Sequence, residues 1–429
     1  MFPGDERPRW LKAAGLTYVV LSLGLTVNLV LGEWGAPNLE SLLVREGALP
    51  GAPGLALLGW LGLVLLVLAL WRGGLSGRQW AVAAAVGTWL GATALSMTLH
   101  GQLQDNRFWS IATIATATAA GGALAGPVLM RCALLVMGWF YGWGSVLAGI
   151  GDALFGWPSV LVDSDPRYGR WLSMVGPDLG VVPSLNGVTP GRVYVGLTCA
   201  ILLVFAVRTL RPIPRRWWHR VMPAGLVLAI LWSFSRTGIV ASVLGLLAAL
   251  VPYERFRRRA ATAWTFAAVM VIILLPMSFS ALLQRTPITD GTTTWRFDLW
   301  QDYLRTPGVW TPFGIGPKPA SPQWADHAHH HFLEALATGG WLGLAGSVAL
   351  VWLAVAVGVG ATRWDNRATI GVVFVMAAIF QVDVVTFSAN YAAMNNALIL
   401  LVAIVAANAA WPARQPGPGH APLERASTA

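Results

Sequence analysis

Apolar runs of bilayer length recur about twelve times along the chain, and nothing else constrains its fold as strongly. A run of roughly 20 apolar residues can satisfy its backbone in lipid only as a helix. The expected spans are roughly 11–31, 53–71, 80–98, 109–126, 128–150, 193–210, 222–235, 238–252, 265–283, 332–358, 370–387 and 395–411. The expected fold class is therefore all-α, a polytopic integral membrane protein with one transmembrane domain over 1–411. Charged residues make up 11% of the 429, against about 25% in soluble domains. That excludes an ordinary soluble enzyme and a disordered chain. Cys132 and Cys199 both lie inside apolar runs, so no disulfide framework is expected. Arg7, Arg9 and Lys12 precede a first run of spanning length, which predicts a retained helix rather than a cleaved signal.

The net charge of +10 is spread in short clusters between apolar runs, the pattern of topology signals and not of nucleic-acid binding. With the N-terminus inside, 19 of the 29 basic residues fall on inner segments. These include the two densest clusters, Arg208 to Arg220 and Arg255 to Arg259. The positive-inside rule then predicts cytoplasmic N- and C-termini and a Pro/Gly-rich, disordered cytoplasmic tail over 412–429. Two outer loops are long, about 151–192 and about 284–330. Long loops are often functional. No nucleotide-binding loop, paired zinc-ligand cysteines or Gly-x-Ser-x-Gly elbow is present.

Four features could carry chemistry. The short spans 222–235 and 238–252 meet at Ser235-Arg236-Thr237-Gly238, and an arginine at such a tip needs a reason. In the second loop, Trp295, Leu299 and Tyr303 recur at helical spacing with Trp300 and Leu304 beside them. This predicts an amphipathic helix on the outer membrane face, capped by Thr292–Thr294 and stopped at Pro307-Gly308. Arg296 would sit in its first turn, where an arginine and free helix N–H groups make a phosphate site. It could equally pair with Asp298 or reach lipid headgroups. Next, Pro312-Phe313-Gly314-Ile315-Gly316-Pro317 places two glycines where backbone could approach a ligand closely, or simply turn.

Finally, four of the seven histidines fall within 327–331, ahead of an apolar helix for which Asp326 is a good N-cap. A histidine in a helical first turn is biased towards the neutral form that a general base requires. A solvated helix start would need no such role, and His327 with His331 has a spacing compatible with a metal.

At these residues the sequence resembles the O-antigen ligase and polymerase family of bacterial inner membranes. The tip Ser235-Arg236-Thr237-Gly238 looks like the family's Ser-Arg-x-Gly turn. Arg296-Phe297-Asp298-Leu299-Trp300 and Pro312 to Pro317 look like its arginine helix and Pro-Leu-x-Gly-Val-Gly segment. His329, His330, nine residues to Gly339, Gly340, Trp341-Leu342 and Gly343 reproduce the ligase pattern of His, Asn/Ser/Gln, nine residues, Gly, two residues and Gly/Thr/Tyr. The sequence departs from it at His330, where Asn, Ser or Gln is usual, and at Trp300, where Leu is usual.

The resemblance implies a multi-span, GT-C-like glycosyltransferase of the inner membrane. It would transfer a glycan from undecaprenyl diphosphate to an acceptor hydroxyl, lipid A–core first, at the periplasmic face. Inversion at the sugar and no cofactor or metal are implied. Arg236 and Arg296 would bind the diphosphate, and His329 would act as base. Ser235, Gly314, Gly316, His330, Gly340 and Gly343 would support them. A repeat-unit polymerase or a protein O-oligosaccharyltransferase is the nearest alternative. A transporter or lipid flippase would instead place ionisable residues at mid-span, where Asp383 stands nearly alone.

Overall fold

The computed structural model describes residues 7–33, 53–101, 107–155, 161–162, 184–185, 192–210, 217–278, 291–316, 328, 330–360, 364–380 and 392–409. Among them are thirteen α-helices. In chain order these are α1 (Arg9–Glu33), α2 (Pro53–Arg72), α3 (Gly77–Leu99), α4 (Arg107–Trp139) and α5 (Ser145–Phe155). They continue as α6 (Arg192–Leu210), α7 (Trp217–Trp232), α8 (Arg236–Leu250), α9 (Arg258–Ser278) and α10 (Gly291–Arg305). The last three are α11 (His331–Val359), α12 (Trp364–Phe380) and α13 (Ala392–Ala409). Over the described residues, each expected span falls on helix. Gly77–Leu99, Ala112–Phe155 and His331–Val359 are long and apolar enough to cross a membrane, and six shorter apolar helices accompany them. The chain is an integral membrane protein built of helices.

The all-α expectation holds. One short ladder accompanies the helices: Leu161–Val162 (β1) pairs antiparallel with Ser184–Leu185 (β2), Leu161 opposite Leu185, inside the 151–192 loop. Leu185 is buried against Gly149 of α5, so the ladder is pinned to the helical body through one apolar side chain.

The 44 residues from Ala112 to Phe155 would run about 66 Å as one helix, twice a bilayer core of about 30 Å. Gly126 breaks the run with φ 72°, and Pro127 follows, so the two expected spans 109–126 and 128–150 are separated at that point. The two halves pack on different partners. Leu124 and Ala117 join Leu11, Tyr18 and Leu65 in one cluster, whereas Gly138 and Gly142 lie against Met222 and Leu226 of α7.

Helix ends sort into two sets. Arg7 Nη1 donates to Ala123 O at 2.6 Å, and Gln79 Nε2 donates to Ala123 O and Ala406 O at 3.2 and 3.5 Å. A side chain on Gly360 would run into the Arg258 guanidinium, which lies within electrostatic reach of Arg78. At the other ends of the same helices, Thr93 of α3 bonds Thr338 of α11 through their hydroxyls, 3.4 Å apart. Gly196 of α6 meets Ser235 and Gly238, and His330 reaches Ile273 of α9. Arg7, Gln79, Arg258 and Gly360 thus lie at one end of the helical body, and Ser235, Gly238, His330 and Thr338 at the other.

Candidate functional site

The second loop folds onto the start of α11. In α10, Phe297, Leu299, Trp300 and Tyr303 are buried, while Asp298, Asp302, Leu304 and Arg305 are exposed. The buried face packs with Val309, Ala328, Leu333, Leu336 and Ala337. The amphipathic helix therefore rests on protein, not on lipid. It also starts at Gly291, earlier than expected, because the threonine run continues the helix instead of capping it. Arg296 is consequently its sixth residue and lies past the first turn, where the dipole effect has largely decayed and the N–H groups bond within the helix. Arg296 thus stands past the free N–H groups of the helix start, with which it was expected to make a phosphate site. What Arg296 does have is a buried Nε with no hydrogen-bond partner among the described residues. Leaving such a donor unsatisfied costs about 1–3 kcal/mol, and more on a charged group.

The glycine segment and the histidine motif are two halves of one lock. Helix α11 breaks at Gly340, whose φ is 61°. The groups freed by the break bond to the loop. Ile315 N–H donates to Ala337 O at 2.7 Å, Trp341 N–H to Thr311 O at 3.1 Å and Leu342 N–H to Pro312 O at 3.4 Å. Trp341 Nε1 adds a bond to Trp310 O at 2.8 Å. Gly314 and Gly316 both take positive φ, 67° and 78°. A Cβ on Gly314 would collide with Ala337 O, and one on Gly340 with Thr311 O and the backbone of Pro312. A Cβ on Gly343 would lie 2.5 Å from Ala335 O, because the break folds the first turns back over the rest of the helix. Gly-x2-Gly is thus a helix break followed by the close approach that it creates.

The histidines divide. His330 is the N-cap of α11: its Nδ1 accepts from Leu333 N–H at 3.4 Å, and its Nε2–H donates to Ile273 O at 3.1 Å. Burial pushes its pKa down to about 4, against partial compensation by the backbone bonds. Its ring meets Trp300 edge-on, with centroids 5.3 Å apart. This accounts for the departure from the family pattern. Asn and Ser cap helices well, and here an imidazole nitrogen supplies the same acceptor.

His330, not Asp326, therefore caps the helix. His331 points into the core, with Nε2 2.6 Å from Ser347 Oγ and its ring stacked on Phe380 at 3.9 Å. Asp326, His327, His329, Pro317, Asp383 and the 412–429 tail lie outside the described residues.

Glu334 was missed from the sequence. It is buried, and its Oε2 accepts from Ala328 N–H at 2.8 Å, while Trp300 Nε1 donates to Ala328 O at 2.8 Å. A carboxylate inside Phe332-Leu333-Glu334-Ala335-Leu336 was the available signal.

The remaining element is the Ser235–Gly238 turn. Phe234 takes φ 49°, and Ser235 caps α8 by accepting from Gly238 N–H at 3.0 Å. A Cβ on Gly238 would lie 3.0 Å from the Gly196 backbone, so the glycine of Ser-Arg-x-Gly lets α8 close against α6. Arg236 is the first residue of α8. Among the described residues the turn packs on α6, through Gly196.

No curated protein matches the chain. Residues 221–348 match the family model described as O-antigen ligase. The match runs from α7 to the middle of α11 and takes in the Ser235 turn, Arg296, the glycine lock and the histidine helix. Residues 221–348 are thus similar to O-antigen ligases, and they lie within a chain built of apolar helices.

Proposed function

We propose that the chain is a glycosyltransferase that moves a glycan from undecaprenyl diphosphate to an acceptor hydroxyl at the periplasmic face of the bacterial inner membrane. Lipid A–core is the acceptor we favour. The acceptor oxygen attacks the anomeric carbon, its proton passes to His329, and the bond to the diphosphate oxygen breaks with inversion. The undecaprenyl diphosphate leaves with the bonding electron pair. Charge grows on the leaving group in the transition state, where fixed guanidinium groups act most strongly. Arg296 and Arg236 fill that role and make a metal unnecessary.

The observation that carries this reading is the Arg296 side chain. Its Nε is buried and has no hydrogen-bond partner among the described residues, inside the O-antigen ligase domain and on the helix that packs against the histidine helix. A buried, unsatisfied guanidinium N–H suits an anionic substrate group. The end that carries the site is the one opposite Arg78 and Arg258, which the positive-inside rule assigns to the cytoplasm.

The test is transfer in proteoliposomes, from a lipid-diphosphate-linked oligosaccharide to lipid A–core. Glycosylated lipid A–core with the anomeric configuration inverted is expected in EDTA, and none with Arg296→Ala. Chain extension of the donor without acceptor would make it a polymerase. Transfer that is undiminished in Arg296→Ala would sink the diphosphate role.

A further inference from the structure

Helix α11 is too long for a bilayer. As one helix, His331–Val359 would run about 44 Å, against a hydrocarbon core of about 30 Å. The break at Gly340 divides it, and the part after the break, Trp341–Val359, measures about 28 Å. That part alone matches the core, so Trp341 stands at one membrane boundary. Arg258, beside Gly360, marks the opposite one. Trp341, Ala345 and Trp352 are exposed at helical spacing, with Val348 half-buried between them. This stripe holds no charged residue, as a face against acyl chains requires.

The glycine lock extends the stripe beyond the helix. Trp310 comes from the loop, yet its ring centroid lies 5.4 Å from that of Trp341. Leu342, next to Trp341, and Leu304, at the end of α10, are exposed as well, and the four side chains are between 37% and 48% accessible. Both indole N–H groups are spent inside the lock: Trp341 Nε1 donates to Trp310 O and Trp310 Nε1 to Leu304 O, each at 2.8 Å. What the rings offer outwards is therefore apolar surface, and clustered surface of this kind marks an interaction site. Arg305 adjoins Leu304 and is exposed, and so are Asp298 and Asp302 on the opposite side of α10. Aromatic rings beside charge at the end of a span are the composition of a membrane interface.

We propose that Leu304, Trp310, Trp341 and Leu342 form a lipid-docking surface: the glycine lock rests on the headgroup–acyl boundary of a phospholipid leaflet and holds the 291–316 segment against the membrane. The lipid contact that the buried stripe of α10 does not make falls to the lock. Phospholipid is the occupant because the patch continues a lipid-facing stripe, with Trp310 seated on the first residue of the spanning part.

The test is spin-label accessibility in the full chain, with Cys132→Ser removing the exposed native thiol and Cys199 left buried. Nitroxides go on Leu304→Cys and Leu342→Cys, which leave both indoles and their bonds in place, in vesicles of phosphatidylethanolamine and phosphatidylglycerol. Oxygen partitions into acyl chains, whereas a nickel chelate stays in water. Both labels should favour oxygen over the chelate several-fold more than a label on Asp302→Cys, which lies across α10 from Leu304. Chelate collisions as frequent at the leucine positions as at Asp302 would overturn the proposal. So would protection from both reagents: with spin–spin broadening that unlabelled protein dilutes away, a second copy covers the face, and without broadening the chain covers it. Should a leucine variant fail to reconstitute, Trp310→Cys takes its place, because the bond to Trp341 comes from the Trp310 backbone oxygen.

Discussion

Gly314 and Gly340 sit face to face. A methyl group built on Gly314 would lie 2.8 Å from the amide nitrogen of Gly340, and both residues take positive φ, 67° and 61°. Gly314 is required by the backbone of Leu336–Gly340, and Gly340 by the backbone of Thr311–Phe313, so a loop motif and a helix motif, with these glycines 26 residues apart, form one structural device.

Gly314→Ala and Gly340→Ala should therefore each destabilise the protein, by roughly 1–3 kcal/mol from backbone strain before any clash is counted. Gly91→Ala is the control, because a Cβ at that helical position meets nothing within 4 Å. It should be neutral or slightly stabilising. Thermal unfolding in detergent measures all three, and an unchanged midpoint for Gly340→Ala contradicts the lock.

Lysine at Arg296 should not restore what alanine removes. A point charge on a flexible stem cannot present the fixed fork of donors that a diphosphate engages. Arg236→Lys is expected to behave likewise. Arg305→Ala should stay near wild type, since that side chain is exposed and bonds Gln301 on its own helix. Initial transfer rates at saturating acceptor decide the ranking, and an Arg305→Ala loss as deep as that of Arg296→Ala would refute it.

The histidines should separate by the kind of damage each causes. His329→Ala is expected to lose roughly 10²–10⁴-fold in rate while folding normally. His331→Ala should instead lose stability, by about 3 kcal/mol, because it empties a site between Phe380 and Trp89 and breaks the bond to Ser347. His327→Ala should affect neither strongly. Rate and unfolding midpoint, measured on the same preparations, distinguish the three, and activity should survive chelators throughout.

His330 predicts a pH dependence of stability. Its folded pKa of about 4 lies below the ordinary 6.5, so the unfolded chain binds more protons between those values. Stability should then rise with pH across that window and be lost as pH falls from 6.5 towards 4. His330→Asn keeps a cap acceptor and removes the titrating ring, so its unfolding midpoint should lack that contribution to the slope. An identical slope in both proteins would assign the effect elsewhere.

Sidedness is open to labelling. Arg258 shares its end with Gly360 and Arg78, while Ser235 and His330 lie at the other. A cysteine at Thr293 should react with impermeant reagent in intact cells, and a cysteine at Arg258 only after lysis. Labelling of position 258 from outside would invert the topology.

Hydropathy alone determined where the helices lie, because lipid leaves an apolar backbone no alternative to closing its own hydrogen bonds. The break at Gly126-Pro127 was legible for a related reason: a run from Ala112 to Phe155 is too long for one bilayer crossing. The chemical residues stood out by type, as arginines and histidines away from the dense basic clusters.

Tertiary structure decided what these residues do. That His330 caps α11 and rests on Ile273, that His331 turns into the core, and that the stripe of α10 packs on protein could not be read from spacing. A periodic stripe is the same whether lipid or helix covers it. Gly314 against Gly340 and Glu334 against Ala328 are bonds and contacts across a chain reversal. Their partners are set by how a broken helix folds back, and no local pattern records that geometry.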